Sequence, residues 1–202
     1  MAKTCIKFLE PFEEELVKKI RKKGLTITVS GSSGSGKSTG ARAIARAFKL
    51  EYIFAGQIQR KIAREKGITL EEQTKIRGRE VDYEMDRRNL ESAMRGKVVI
   101  DARLSGWCAG NWADVKIFYD CPLEVRAARV AGRDNVPLTE SIGNIKKRDE
   151  EDNKKYKLLY GIDLFDKSIY DFVIDNQKLT KKEAEEIPVK LVKEFLRKKM
   201  GK

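Results

Sequence analysis

Apolar and polar positions along this chain repeat with two different periods. Leu25-Thr26-Ile27-Thr28-Val29 alternates and is rich in β-branched residues, which predicts a buried strand. From Ser38 to Phe48, the apolar positions Ala41, Ile44, Ala45 and Phe48 fall at helical spacing and predict a helix with one buried face. The alternation continues to the C-terminus. Strands are expected at Thr26–Val29, Glu51–Phe54, Val98–Asp101, Val115–Tyr119 and Phe172–Ile174. Helices are expected near 57–66, 69–76, 79–94, 123–132, 138–158 and 181–199 as well as 38–48. Strands alternating with helices imply an α/β fold, a parallel sheet of five strands covered by helices on both faces. Upstream, Phe12, Leu16, Val17 and Ile20 form a stripe, so residues 1–24 read as a helical extension packed on a single domain spanning 25–202. Residues 66–82 and 133–155 lie outside the sheet pattern and are rich in charge.

Composition narrows the function classes. With 202 residues, 41% hydrophobic and 37% charged, the chain reads as one globular domain with a highly charged surface. No apolar run approaches the ~20 residues of a membrane span. The glutamates at 10, 13, 14 and 15 leave no room for an apolar signal segment. Cys5, Cys108 and Cys121 are odd in number and lack C-x-x-C spacing, which predicts reduced thiols and a cytoplasmic setting. There is no histidine, so an imidazole base or a His-ligated metal is excluded. Net charge is +12. That excess suits an arginine-lined cleft for anionic substrates, or contact with RNA. Much of it sits at Lys18 to Lys23 and Arg197 to Lys199, which read as solvated helix ends, so RNA is not required.

The sharpest chemical signal is Gly31-Ser32-Ser33-Gly34-Ser35-Gly36-Lys37-Ser38-Thr39, which satisfies G-x-x-x-x-G-K-[ST] between a predicted strand and a predicted helix. The glycines let successive N–H groups turn inward around phosphate oxygens, and the helix N-terminus adds its positive end. In this reading Lys37 reaches the β- and γ-phosphates of a nucleoside triphosphate, and Ser38 offers its hydroxyl to Mg²⁺. Asp101 ends the strand Val98–Asp101, where Mg²⁺ and its waters are held beside such a loop, and Arg103 follows two residues later above the sheet. Gly56 and Arg60 follow the second strand; Gly56 permits close backbone approach and Arg60 can grip a phosphate. Arg148, Asp152 and Lys155 share one helical face, and Arg126, Arg129 and Arg133 share another. Arginines converging on one cleft suit a transition state with charge spread over phosphoryl oxygens.

Taken together, these stretches resemble the cytidylate kinases of the compact archaeal type, within the nucleoside monophosphate kinases and the P-loop NTPase superfamily. The resemblance is carried by Ile27 to Thr39, Ala55-Gly56 through Arg60, Val81 to Arg88, Val99 to Trp107, Asp120-Cys121-Pro122 through Arg129, Arg148 to Tyr156 and Tyr160 to Asp163. Arg-Leu-Ser-Gly-Trp and Tyr-Gly-Ile-Asp are the most particular of these. It implies a three-layer α/β/α P-loop fold with small acceptor-binding and lid segments, the lid at about 133–155, and the substrates ATP and CMP or dCMP with Mg²⁺. It also implies that Gly31 to Thr39 bind the donor phosphates and that Arg60 and Arg103 hold the acceptor monophosphate. Arg148 spans both, Asp152 points toward the acceptor nucleoside, Arg129 and Arg133 serve as lid arginines, and the enzyme is a monomer. Ala55, Gln59, Ala102 and Lys155 depart from the pattern of bacterial relatives and bear on base selectivity. Two other readings stay open from sequence: a kinase selective for AMP or another monophosphate, and a P-loop ATP-binding protein acting in RNA or ribosome assembly.

Overall fold

The computed structural model describes residues 3–69, 72 and 79–201. Its strands are β1 (Thr26–Gly31), β2 (Glu51–Phe54), β3 (Val98–Asp101), β4 (Val115–Asp120) and β5 (Phe172–Asp175). Its helices are α1 (Glu10–Lys19), α2 (Lys37–Phe48), α3 (Ala55–Glu65), α4 (Arg79–Arg95), α5 (Ser105–Ala109), α6 (Leu123–Asp134), α7 (Leu138–Tyr160) and α8 (Lys181–Met200). The strands pair in the order β2-β3-β1-β4-β5, and every pairing is parallel. The expected α/β class and five-stranded parallel sheet are therefore present. Most of the helix expected near 69–76 falls on residues 70–71 and 73–76, outside the described residues.

Alternation in β1 has a concrete purpose. Ile27 and Val29 face a core shared with Val99, Ile117, Tyr119 and Ile174, covered by Ala41 and Ile44 of α2 and Val192 of α8. Thr26 and Ser30 point to the opposite face, fully buried, and are satisfied there. Thr26 Oγ1 donates to the Ala93 carbonyl of α4 at 2.9 Å, and Ser30 shares a hydrogen bond with Ser105 of α5 at 3.0 Å. Such partners offset the cost of burying a hydroxyl, whereas Thr28 Oγ1 between them is buried without one. α8 opens with a capping box in which Thr180 and Glu183 satisfy each other's backbone N–H groups.

Around this frame, three sequence expectations change in detail. The extension is helical only over α1, after a short 3₁₀ turn at Lys7–Leu9. Leu16 is buried and Phe12 and Ile20 pack beside it, but Val17 is exposed. Ten residues make under three turns, and Val17 sits about 100° around the helix from Leu16. Ile6 and Leu9, ahead of α1, are the deeper anchors. α3 begins at Ala55, so Gly56 lies in its first turn rather than in a preceding loop. Residues 133–155 comprise the end of α6, a connection of residues 135–137 and most of α7, with Ser141 Oγ bonding the Ala127 carbonyl at 2.9 Å to hold the two helices together. Among the described residues, no helix is long and apolar enough to cross a membrane.

Candidate active site

All five strands run parallel, so their carboxyl ends lie along one edge of the sheet, and β1, flanked by β3 and β4, delivers the glycine-rich loop there, where such folds form a crevice. Gly31 has φ +143°, and a Cβ there would lie 2.6 Å from the Tyr119 carbonyl oxygen. Gly36 caps α2 with φ +89°, and a Cβ there would lie 2.1 Å from Asn176 Nδ2. At both positions only glycine fits. Loop carbonyls are tied down from outside. Asn176 Nδ2 donates to the Ser35 carbonyl at 2.7 Å, Arg126 Nη1 to that of Ser33 at 3.2 Å, and Lys37 Nζ to that of Ser32 at 3.3 Å. Ser38 and Thr39 lie in the first turn of α2, where the Thr39 N–H turns back to the Gly36 carbonyl at 3.0 Å and the N–H groups ahead of it point out of the helix end. Aligned N–H groups and a helix N-terminus form an anion site.

Lys37 is the electrostatic centre. Burial pushes its ammonium below the usual lysine range, Arg103 and Arg148 push the same way, and Asp101 and Asp149 oppose them. Lys37 therefore lies within the field of Asp101 at the end of β3, Arg103 just beyond it, and Arg148 and Asp149 of α7. Asp101, the last residue of β3, is 4% exposed. Its Oδ2 accepts a hydrogen bond from Tyr52 Oη at 2.7 Å, while Oδ1 is buried without a partner. The Tyr52 hydroxyl is pushed up to about 12, by burial first and then by the Asp101 charge.

Opposite the loop, α7 supplies a network of alternating charge. Arg103 pairs with Asp152 and lies 3.5 Å from Asp149. Asp149 is also 2.8 Å from Arg126. Lys155 lies 3.4 Å from Asp152 and 3.2 Å from Asp82 of α4, and Arg148 lies 4.0 Å from Asp152. On α6, Arg129 donates to the Asn176 carbonyl at 2.7 Å, which places it beside the glycine-rich loop. Arg133 is exposed and paired with its neighbour Asp134. Arg60 is exposed, with its guanidinium 5.1 Å from the centre of the Phe54 ring.

Thus Gly31 to Thr39, Asp101, Arg103, Arg129, Arg148 and Asp152 meet at one crevice, whereas Arg60 rests on Phe54 and Arg133 turns to solvent. Four contributors were missed from sequence: Asn176, Tyr52, Asp149 and the loop-holding role of Arg126. Asn176 follows the end of β5, the same strand-end signal that singled out Asp101. The others depend on which helices become neighbours, and no local pattern reports that.

A second buried acid lies behind this network. Asp86 of α4 accepts from Tyr160 Oη at 2.7 Å and from Cys108 Sγ at 3.5 Å. Burial pushes its carboxyl up from 3.8 to about 6, against the pull of those two donors. Between these values the folded chain keeps a proton that the unfolded chain has released. Stability therefore falls as pH rises through that window, and the full cost of the buried charge stands above it. Denaturant unfolding at pH about 7 and about 5 checks the sign. Wild type is expected to gain about 1 kcal/mol relative to Asp86→Asn on acidification. Parallel pH profiles would contradict the assignment.

Comparison with known proteins agrees with the geometry. Residues 26–178 match the model of the cytidylate kinase-like family. A cytidylate kinase of Pyrococcus horikoshii is 46% identical over 156 residues, 76% of this chain and 81% of the relative. One from Staphylothermus marinus is 39% identical over 175 residues, 86% of this chain and 99% of the relative. Among solved structures, a shikimate kinase from Bacteroides thetaiotaomicron superposes with TM-score 0.59 at 18% identity, covering 86% of this chain and 98% of that chain. At that identity the likeness speaks for the fold alone. With its family model spanning most of the sequence, its P-loop crevice and its α7 charge network, the chain belongs to the cytidylate kinase-like family.

Proposed function

We propose that this protein is a nucleoside monophosphate kinase that moves the γ-phosphoryl group of ATP to CMP, and also to dCMP, giving ADP and the diphosphate. The observation that carries the reading is the placement of Arg103, paired to Asp152, within the field of Lys37. An ATP-binding switch has no use for a partly buried arginine–carboxylate pair in the field of its phosphate-loop lysine. A kinase needs a second anion there.

In this mechanism the loop N–H groups and Lys37 hold the donor phosphates. Arg103 and Arg148 hold the acceptor phosphate, with Arg60 able to swing off Phe54 to join them. Asp152, released from Arg103 as the acceptor phosphate arrives, turns to the nucleoside. An oxygen of the CMP phosphate forms the new bond to the γ-phosphorus, and the bond from that phosphorus to the bridging oxygen of ADP breaks in line. The attacking oxygen is already anionic, so the reaction requires no histidine base. Arg129 beside the loop and Arg148 across the crevice disperse charge on the transferring group. Closure of α6 and α7 over the crevice keeps water from the γ-phosphate.

The residues fit Mg²⁺. Among the described residues, no group of three or more Cys, Asp or Glu side chains cages a metal. A magnesium ion at a phosphate site needs only one or two protein oxygens. The Ser38 hydroxyl and the unpartnered Oδ1 of Asp101, directly or through water, supply them. When bound, the ion neutralises charge on the β- and γ-phosphates. The Tyr52 hydroxyl, donating to Oδ2, leaves Oδ1 oriented for this role.

The unpaired Cys5, Cys108 and Cys121 suit a reducing, cytoplasmic setting. Coupled ADP release with Mg·ATP and CMP, dCMP, UMP or AMP in turn tests the reading. CMP is expected to stimulate most strongly, with dCMP next. Absence of stimulation by every monophosphate would overturn it, and preference for AMP or UMP would overturn the assigned base.

A further inference from the structure

The N-terminal segment ahead of β1 lies outside the glycine-rich loop, yet it is knitted to the elements that carry the acceptor-side residues. Thr4 Oγ1 donates to the Cys108 carbonyl at 2.8 Å, and the Cys5 N–H donates to the Trp107 carbonyl at 3.1 Å. Both acceptors lie on α5, which begins two residues after Arg103. The Lys3 carbonyl accepts from the Asn111 N–H at 2.9 Å, and a Cβ on Gly110 would lie 2.1 Å from that same carbonyl. Glu13 clamps the segment internally at Thr4 and externally at Trp112 Nε1, 2.6 Å away. Ile6, Leu9 and Leu16 share a core with Leu90 and Met94 of α4, Leu104 beside Arg103, and Ile162 and Leu164 just beyond α7. One buried cluster thus joins all three carriers of the acceptor network.

A chain of aromatic rings runs from that segment toward the crevice. Phe8 stacks on Tyr83 of α4 with ring centres 3.9 Å apart. Tyr83 meets Tyr160 at 5.9 Å, and Tyr160 meets Tyr156 at 6.5 Å, both on α7. Tyr156 lies 4.8 Å beneath the ammonium of Lys155, which itself reaches Asp152 and Asp82. Tyr83 is next in sequence to Asp82, and Tyr160 holds Asp86. Phe8 itself is 46% exposed, so its ring is not a core anchor. Among the described residues its ring stacks on Tyr83, and a close stack of this kind fixes the rotamer of its partner.

We infer that the N-terminal segment is a positioning part of the acceptor-nucleotide site, with Phe8 setting Tyr83 and, through the aromatic chain, the end of α7 that presents Asp152 and Lys155 to a nucleoside monophosphate. This rests on the kinase reading above. The size of the effect is bounded, because a contact can shift site affinity only by its own differential strength in the two states.

The test uses the full chain carrying Phe8→Ala, with Phe8→Tyr as the conservative partner. For Phe8→Ala, the KM for CMP is expected to rise about three- to tenfold, the worth of one aromatic stack. The KM for ATP and kcat are expected to stay near wild type. Calorimetric titration of CMP without ATP should show the same loss of affinity, and Phe8→Tyr should restore both values. An unchanged KM for CMP overturns the inference. So does a joint rise in both KM values with a lowered Tm, the mark of a merely structural role. If wild type itself gives no monophosphate-stimulated ADP release, the kinase reading fails first and takes this one with it.

Discussion

Lys37→Ala is expected to lower kcat about 10³-fold, a loss of about 4 kcal/mol of transition-state stabilisation, without lowering the Tm. The two halves of this expectation have one cause. In the protein without nucleotide, the Lys37 ammonium is held by burial below its usual pKa, against the pull of Asp101 and with the like charges of Arg103 and Arg148 nearby. Its main local contact is a long hydrogen bond of 3.3 Å to the Ser32 carbonyl. Asp101 and Asp149 offset only part of the desolvation cost, so the fold gains little from the lysine until phosphate charge arrives. Removing it relieves that cost and deprives the transferring phosphoryl group of its nearest cation. Functional sites commonly trade stability for activity in this way. Steady-state kinetics with CMP and thermal unfolding of the same preparation check both halves. Near-wild-type turnover would remove Lys37 from the site, and a large fall in Tm would show it to be a structural residue.

The second large effect is expected at Arg103. Arg103→Ala should reduce kcat/KM for CMP about 10²- to 10³-fold, while ATP affinity changes far less. It should also destabilise the protein by about 2 kcal/mol, a fall in Tm of several degrees. The guanidinium sits between Asp149 and Asp152, and its side chain is 11% exposed. Stripping a cation from a buried pair usually costs more, about 3–5 kcal/mol. Here Asp149 keeps Arg126 at 2.8 Å, and Asp152 keeps Lys155 at 3.4 Å, so neither carboxylate is left bare. Arg103→Lys separates the two effects. It retains the charge and should recover most of the stability, but it lacks the two-pronged fork that grips a phosphate, so activity should recover less. An unchanged kcat/KM for CMP in Arg103→Ala would refute the acceptor-side assignment.

The contrast between these two residues shows how much a linear sequence can carry. Lys37 was legible because its whole environment is local. The strand, the glycines and the helix N-terminus are contiguous, and the backbone angles at Gly31 and Gly36 are those the motif requires. Arg103 and Asp101 were legible for a related reason, since any residue at the carboxyl end of a parallel strand faces the crevice. Arg60 shows the limit. Its position after β2 pointed to the cleft, but the orientation of an exposed arginine depends on which ring is nearby, and Phe54 holds it. Val17 marks a similar limit, because periodicity finds an apolar stripe without telling which member faces the body of the protein.

What the sequence determined by itself was the succession of strands and helices, the phosphate loop, and the exclusion of histidine chemistry. Each follows from neighbours within a few residues, where backbone propensity and side-chain period act directly. What only the tertiary structure decided was the company each charge keeps. Asn176 fastens a loop 141 positions away, Tyr52 holds Asp101 across two strands, and Thr4 reaches Cys108 over 104 positions. Such contacts arise when helices and strands pack to bury their apolar faces, and they bring polar groups together wherever burial leaves a donor needing an acceptor. No local period encodes that pairing, because the burial that enforces it belongs to the whole fold.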